Sequence, residues 1–325
     1  MARAYRSRRS CLAVPASNPR FIAKARGLPA DQIFLDLEDA VAPDAKEQAR
    51  ANVAQALASG GFDGKVRAVR VNDATTKWAY RDVVTVVEAA GAGLDCVVLP
   101  KVRDPGQVVW LDLLLGQIEQ AMGYEQGRVG IEAQIEDAAG LTRAEGIACA
   151  SARLEALIFG PADFMASVGM RSLEVGEQPP GYDHGDAYHY PLMRILVAAR
   201  SAGLQAVDGP YLKIRDVAGF RRSAARSAAL GYDGKWVLHP GQLEAANEIY
   251  APGQDDYDHA EMILDAYDYY ARTHRRGAAM LGEEMIDEAS RKMALAVAVK
   301  GRAAGLSRRR WFDPPDGAVS PAVLG

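Results

Sequence analysis

The chain has 325 residues, is 49% hydrophobic and 25% charged, and carries 38 basic against 42 acidic side chains for a formal charge of −4. That balance belongs to a folded globular protein with ample core material, so disorder over the whole chain is excluded. It also leaves no broad electrostatic grip on nucleic acid. The length admits either two domains or one large barrel.

Arg3, Arg6, Arg8 and Arg9 open the chain, but the apolar run after them, residues 11–14, stops at Pro15 and is too short for a secretory signal. No run approaches the 18 apolar residues of a membrane span. Cys11, Cys96 and Cys149 have neither a disulfide framework nor a metal-ligand spacing, so buried thiols in a reduced, cytoplasmic compartment are expected.

Short apolar strands are predicted at 11–14, 32–36, 66–71, 95–99, 129–135, 156–159, 205–207 and 235–238. Ala-rich stretches of helical spacing, such as 45–58, 80–90 and 105–122, separate them. Near-continuous apolar strands alternating with helices imply a parallel sheet covered on both faces. Eight such strands in roughly 230 residues fit a (β/α)8 TIM barrel. An open doubly wound sheet would want a Gly-rich turn after the first strand; Val14-Pro15-Ala16-Ser17-Asn18 stands there instead. The polar stretch 169–190 reads as a long loop, and residues 252–325 as a helical extension or lid on a barrel of residues 1–251. In that extension, helices are expected at 255–274 and 285–302, with a hinge at 277–283 and a poorly packed tail from 307. The triplet Arg308-Arg309-Arg310 reads as a solvated helix end.

On a barrel the chemistry lies at the C-terminal strand ends, where the βα loops gather. Those ends carry Asp36, Glu38 and Asp39, Arg70, Lys101, Glu136, Asp163, Asp208 and His239. Glu132, Gln134 and Glu136 alternate toward one side of the fifth strand, with Glu136 nearest the top. Glu136 and Asp163 on adjacent strand ends suit a hard divalent cation such as Mg²⁺, with Mn²⁺ as its substitute. Capping of the following helix by Asp163 is the competing reading. Arg70 offers fixed donors for an anionic oxygen, and Asp36, Glu38 and Asp39 can orient metal-bound waters. His239 before Pro240 is as consistent with a structural role. The arginines Arg215, Arg221, Arg222 and Arg226 fit an exposed helix better than a nucleic-acid surface, and a zinc site lacks its histidine pair.

Several segments are similar to one family in its order. They are Leu12–Asn18 with Arg20 and Lys24, "FLDLEDAVAPDAKEQAR" at 34–50, "VRVN" at 69–72, "VLPK" at 98–101 and "IEDAAG" at 135–140. "IFGPADFMASVG" at 158–169, "VDGPY" at 207–211, "GKWVLHPGQ" at 234–242 and "MIDEA" at 285–289 complete them. The chain resembles the citrate lyase β-subunit-like branch of the HpcH/HpaI aldolase superfamily, and within it malyl-CoA and β-methylmalyl-CoA lyases. The resemblance implies that Glu136 and Asp163 hold Mg²⁺, that Arg70 meets the reacting oxygens, and that Asp39 supports the metal-bound waters. It implies a coenzyme A thioester as substrate, with Arg20 and Lys24 at the phosphates. Asn18 would be their neighbour, although it departs from the arginine some relatives carry. A lid from a neighbouring subunit would deliver Asp287, which implies a homo-oligomer, a trimer or a dimer of trimers. The implied reaction is Mg²⁺-dependent, reversible cleavage of (S)-malyl-CoA or β-methylmalyl-CoA to glyoxylate and acetyl-CoA or propionyl-CoA through a thioester enolate. Citramalyl-CoA cleavage and a malyl-CoA thioesterase or malate synthase-like outcome stay open, because one methyl decides the first and one water the second. A non-catalytic barrel would be expected to lack Glu136, Asp163, Arg70 or Asp287, and all four are present.

Overall fold

The computed structural model describes residues 5–314. Arg3 of the basic N-terminus, and the part of the expected loose tail from 315 on, lie outside the described residues.

Eight strands run parallel and close on themselves: β1 (Ser10–Pro15), β2 (Gln32–Asp36), β3 (Val66–Arg70), β4 (Cys96–Leu99), β5 (Gly130–Ile135), β6 (Leu154–Phe159), β7 (Gln205–Asp208) and β8 (Gly234–Val237). Pairing of Cys11 with Trp236 and Leu12 with Val237 joins β1 to β8 and completes the barrel. The helices of the connections are α1 (Pro19–Ala25), α2 (Lys46–Ala58), α3 (Ala79–Ala90), α4 (Pro105–Ala121), α5 (Ala138–Thr142) and α6 (Ala144–Ala148). They continue with α7 (Pro161–Ser167), α8 (His189–Ser201), α9 (Val217–Leu230) and α10 (Leu243–Ile249). Every expected strand end lies within two residues of its observed position.

Local chemistry explains the frame. Asn18 caps α1 by accepting from the Arg20 and Phe21 amides, Asp104 and Gln107 form a capping box on α4, and Gly231 ends α9 at φ 110°. The barrel interior is lined by small side chains, among them Cys11, Ala68, Cys96 and Ala156, which leave room for Phe34 and Trp236 at a ring-centroid distance of 4.4 Å. At the N-terminal end, Arg8 is no surface charge. It lies 1% exposed inside the barrel, with Nε 2.8 Å from Glu132 and Nη2 2.6 Å from Glu155. Glu132 does face inward, but it belongs to this lower plug.

The described residues divide into two compact units, one spanning Arg8–Tyr250 and one spanning residues 251–314 together with Tyr5–Ser7. The second contains α11 (Gln254–Thr273), a hairpin of β9 (Ala278–Leu281) and β10 (Glu284–Asp287), and α12 (Glu288–Ala303). The expected hinge at 277–283 is therefore largely a strand and its turn, and the last helix begins at Glu288 rather than 285. Gly282, at φ 62°, permits a two-residue turn whose strands bury Ile286 against α11. The tail through 314 is also packed, contrary to expectation. Phe312 is buried among Tyr269 and its neighbours, and Arg308 and Arg310 pair with Asp265 and Asp255 of α11. Two arginines of the triplet thus neutralise an acidic helix, Arg309 gives its backbone N–H to Asp258 of the same helix, and the triplet does not end a helix.

Three smaller expectations also resolve. Cys11 and Cys96 are buried, but Cys149 is exposed because it falls at the end of α6. Arg221 and Arg226 are paired with Glu248 and Asp186. Among the described residues no helix is long and apolar enough to cross a membrane.

Candidate active site

At the C-terminal end of the barrel, Asp36 and Arg70 are register partners on β2 and β3. Arg70 Nε and Nη2 donate to the two Asp36 carboxylate oxygens at 2.8 and 2.6 Å. Its Nη1 lies 3.0 Å from Glu38 Oε2, and its guanidinium stacks 5.1 Å from the Trp236 ring centroid. Burial alone would lower the guanidinium pKa; Asp36 and Glu38 outweigh it and hold Arg70 charged. Two acids and an aromatic face thus fix one fork of donors.

Glu136 follows β5 and is 3% exposed. Its Oε1 accepts the Lys101 backbone N–H at 2.6 Å, and its Oε2 accepts Gln134 Nε2 at 2.8 Å. Burial pushes its carboxyl well above the usual carboxylate range, and the charges of Glu38 and Asp163 push the same way. Asp163 sits in the first turn of α7, where Gly160 is the N-cap and no side-chain capping bond forms, so its carboxylate is not spent on the helix. Among the described residues that carboxylate accepts no hydrogen bond. Glu136 and Asp163 line one cavity of about 360 Å³ with Asp36, Asp39, Arg70, Gln134 and, on the apolar side, Pro161, Leu212, Trp236 and Leu238.

These residues fit a divalent cation of a particular kind. No group of three or more His, Cys, Asp or Glu side chains among the described residues forms a ready-made metal cage. Mg²⁺ does not need one, since it binds through one or two carboxylates and keeps its waters. Among the described residues Glu136 makes no ion pair, although the Arg70 charge acts on it, and the buried Gln134 Oε1 has no hydrogen-bond partner. Gly160 keeps the space open: a Cβ there would lie 2.6 Å from Glu136 Oε2.

Asp39 is at the rim, its side chain 57% exposed, with Oδ1 3.1 Å from Lys101 Nζ. Burial raises the Asp39 carboxyl, but Lys101 more than offsets this and holds it below its ordinary value. Lys101 was legible only as a strand-end residue and received no role from sequence. Neither did Gln134 or Trp236, although inward alternation marked the first. A second cavity of about 250 Å³ shares Ala13, Pro15 and Leu238 with the first and is rimmed by Phe21, Lys24 and His239. Arg20 is exposed near it in chain position on α1, while the Asn18 Oδ1 is committed to the α1 cap. His239 Nδ1 accepts from the Gly241 amide at 3.0 Å, which is a structural role. Asp287 belongs to the second unit, where it caps α12 by accepting from the Ser290 amide at 3.0 Å. That amide, with the Ser290 hydroxyl, holds its carboxyl below the ordinary value.

The sequence pattern described as HpcH/HpaI aldolase/citrate lyase matches residues 9–240. The L-malyl-CoA/β-methylmalyl-CoA lyase of Cereibacter sphaeroides is 40% identical over 288 residues, covering 86% of this chain and 90% of that one. The citrate lyase subunit β of Escherichia coli is 36% identical, covering 88% and 90%. Among solved structures, Mycobacterium tuberculosis CitE in complex with magnesium, acetoacetate and coenzyme A aligns with a TM-score of 0.67 at 29% identity, covering 92% of this chain and 99% of that one. A citrate lyase from Burkholderia xenovorans shares the fold, with a TM-score of 0.79 at 23% identity over 98% of this chain and 97% of that one. With its barrel, its strand-end acids and these relatives, the chain belongs to the HpcH/HpaI aldolase/citrate lyase family.

Proposed function

We propose that the protein catalyses reversible carbon–carbon cleavage of malyl-CoA-type thioesters, giving glyoxylate and acetyl-CoA, or propionyl-CoA from the β-methyl substrate. The observation that carries this reading is the pair of adjoining cavities. One is lined by Arg70, Glu136 and Asp163, the other is mostly apolar with Lys24 at its rim. A short hydroxy acid would occupy the first and the arm of its coenzyme A thioester the second, with Lys24 and Arg20 toward the phosphates. Relatives named for malyl-CoA and β-methylmalyl-CoA point to the same substrate class.

Glu136 and Asp163 would hold Mg²⁺, which when bound supplies a Lewis acid that lowers the pKa of the substrate hydroxyl. The Arg70 guanidinium, held charged and oriented by Asp36 and Glu38, lines the cavity where an oxygen takes up negative charge as the bond breaks. Gln134 and Trp236 exclude water from the floor of the cavity. The hydroxyl proton passes to the water ordered by Asp39 and Glu38 at the rim, the hydroxyl carbon becomes the aldehyde of glyoxylate as the C2–C3 bond of the malyl group breaks, and the electron pair of that bond becomes the enolate of the departing thioester. Asp287, delivered by the second unit of a neighbouring copy in an oligomer, then carries a proton to the enolate carbon, or removes it in the reverse direction. Asp39 and Glu38 order the waters at the rim.

The test is Mg²⁺-dependent turnover of (S)-malyl-CoA, with glyoxylate trapped by phenylhydrazine and coenzyme A products separated on the same samples. Glyoxylate with acetyl-CoA supports the lyase. Malate and free coenzyme A without glyoxylate would replace it with a thioesterase. Turnover of citramalyl-CoA alone would move the substrate to the pyruvate-yielding ester.

A further inference from the structure

Five carboxylates meet at the top of this barrel, Asp36, Glu38, Asp39, Glu136 and Asp163, and they are not equivalent. Asp36 is taken up by Arg70. Glu38 and Asp39 are both within reach of one ammonium: Lys101 Nζ is 2.5 Å from Glu38 Oε1 and 3.1 Å from Asp39 Oδ1. Among the described residues, Glu136 and Asp163 have no cationic side-chain partner at hydrogen-bond distance. The residue that makes this division is also conformationally unusual. Lys101 has φ 53°, one of two non-glycine residues with positive φ among the described residues. An L side chain is costly in that region, and glycine is the usual occupant. Backbone strain of this kind persists where the surroundings over-determine it. Here the left-handed turn after β4 aims the Lys101 N–H at Glu136 Oε1, 2.6 Å away, while its side chain runs to the opposite acids. A glycine would keep the first contact and lose the second.

We propose that Lys101 is a positioning residue that withholds Glu38 and Asp39 from the metal, so that a divalent cation binds through Glu136 and Asp163 and keeps open positions. This rests on the metal-binding reading of Glu136 and Asp163 above. Mg²⁺ needs one or two carboxylates and several exchangeable positions to accept a substrate. A carboxylate released from Lys101, Asp39 first and the Oε1 of Glu38 second, would bind it more tightly and displace the waters that substrate oxygens must replace. The Lys101 ammonium prevents that at Asp39 and, together with Arg70 Nη1 3.0 Å from Glu38 Oε2, at Glu38, and its own backbone fixes the rotamer of the acid that remains available. Removing the ammonium therefore raises metal affinity while lowering turnover. A side chain with only a structural role would lower both.

The experiment titrates Mn²⁺ alone into the full-length protein and follows the free ion by electron paramagnetic resonance, for wild type, Lys101→Met, Lys101→Gly, Lys101→Arg and Glu136→Gln. Water-proton relaxation counts the waters left on the bound ion. Wild type binds one ion with exchangeable waters, and Glu136→Gln binds it at least tenfold more weakly. Lys101→Met and Lys101→Gly bind at least threefold more tightly than wild type with fewer exchangeable waters. In the malyl-CoA assay their kcat falls about tenfold or more with KM little changed, and Lys101→Arg restores wild-type behaviour in both readouts. Lys101→Gly relieves the left-handed strain, so it keeps the test open if Lys101→Met folds poorly. Equal or weaker Mn²⁺ binding in both neutral variants overturns the proposal while leaving the metal site standing. Wild-type binding by Glu136→Gln, or no binding by wild type, overturns the metal site and the Lys101 proposal with it. Mn²⁺ binding as expected but no turnover of malyl-CoA by wild type rejects the substrate and leaves the role of Lys101 supported.

Discussion

Arg70 and Asp36 face each other in register on adjacent strands and share two hydrogen bonds of 2.8 and 2.6 Å, with both side chains nearly excluded from solvent. A buried pair of this kind is worth little net, but breaking it strands a charge. Asp36→Asn is therefore expected to lower stability by about 3 kcal/mol, read from denaturant midpoints. Arg70→Lys keeps the charge and loses the fork, so kcat for malyl-CoA cleavage should fall about 100-fold or more with the fold intact. A kcat within threefold of wild type for Arg70→Lys would remove Arg70 from the chemistry.

Glu136 makes the metal-free protein sensitive to pH in a definite direction. Burial, with Glu38 and Asp163 beside it, raises its carboxyl well above the ordinary value. The folded state then holds a proton that the unfolded chain releases at about pH 4.3. The stability gained from that proton is fully present below this pH and is lost as pH rises through the folded value. In the presence of chelator, wild type should lose stability relative to Glu136→Gln across that interval, and added Mg²⁺ should restore it. Parallel pH curves for the two proteins would show that Glu136 is not the group responsible.

Gly160 is expected to be intolerant of even one methyl group. A Cβ at this position would stand 2.6 Å from Glu136 Oε2 and 3.0 Å from Gln134 Nε2, both on buried side chains. Gly160→Ala should displace Glu136, weaken Mn²⁺ binding about tenfold or more, and cost turnover in proportion. Unchanged metal affinity in a folded Gly160→Ala protein would place the cation elsewhere.

Asp287 can be tested by complementation. Asp287→Asn and Glu136→Gln should each be inactive alone. If Asp287 acts in a neighbouring copy, unfolding the two variants together and refolding them as a mixture should recover activity, because some sites then combine two intact contributions. No recovery in mixed oligomers confirmed by mass would confine Asp287 to its own chain or remove it from the reaction.

The barrel was legible because its signal is one-dimensional. Strands such as 32–36 and 96–99 are apolar on both faces, and a chain that alternates such strands with helices has few ways to cover them. The strand-end rule then located Arg70, Glu136 and Asp163 without any contact being known. The hairpin at 278–287 stands where a hinge is expected, although its signal is in the sequence: Gly282-Glu283 is a two-residue turn between short runs that contain apolar residues. The packing of the tail is not legible locally, because Phe312 and the arginines at 308 and 310 draw their meaning from partners on α11, more than 40 residues earlier.

By itself the sequence determined the fold class, the order of elements and the acids at the barrel mouth, since these follow from hydrophobic period and strand direction. Only the tertiary structure decided which charges cancel. Arg8 reads as one of several N-terminal cations, yet it is buried against Glu132, 124 residues away. Lys101 reads as the end of a strand, yet its left-handed backbone serves Glu136 and its ammonium serves Glu38 and Asp39. A charge in a sequence has no partner until closure of the barrel brings distant strand ends within 3 Å, and in a desolvated site that choice of partner fixes what each carboxylate remains free to bind.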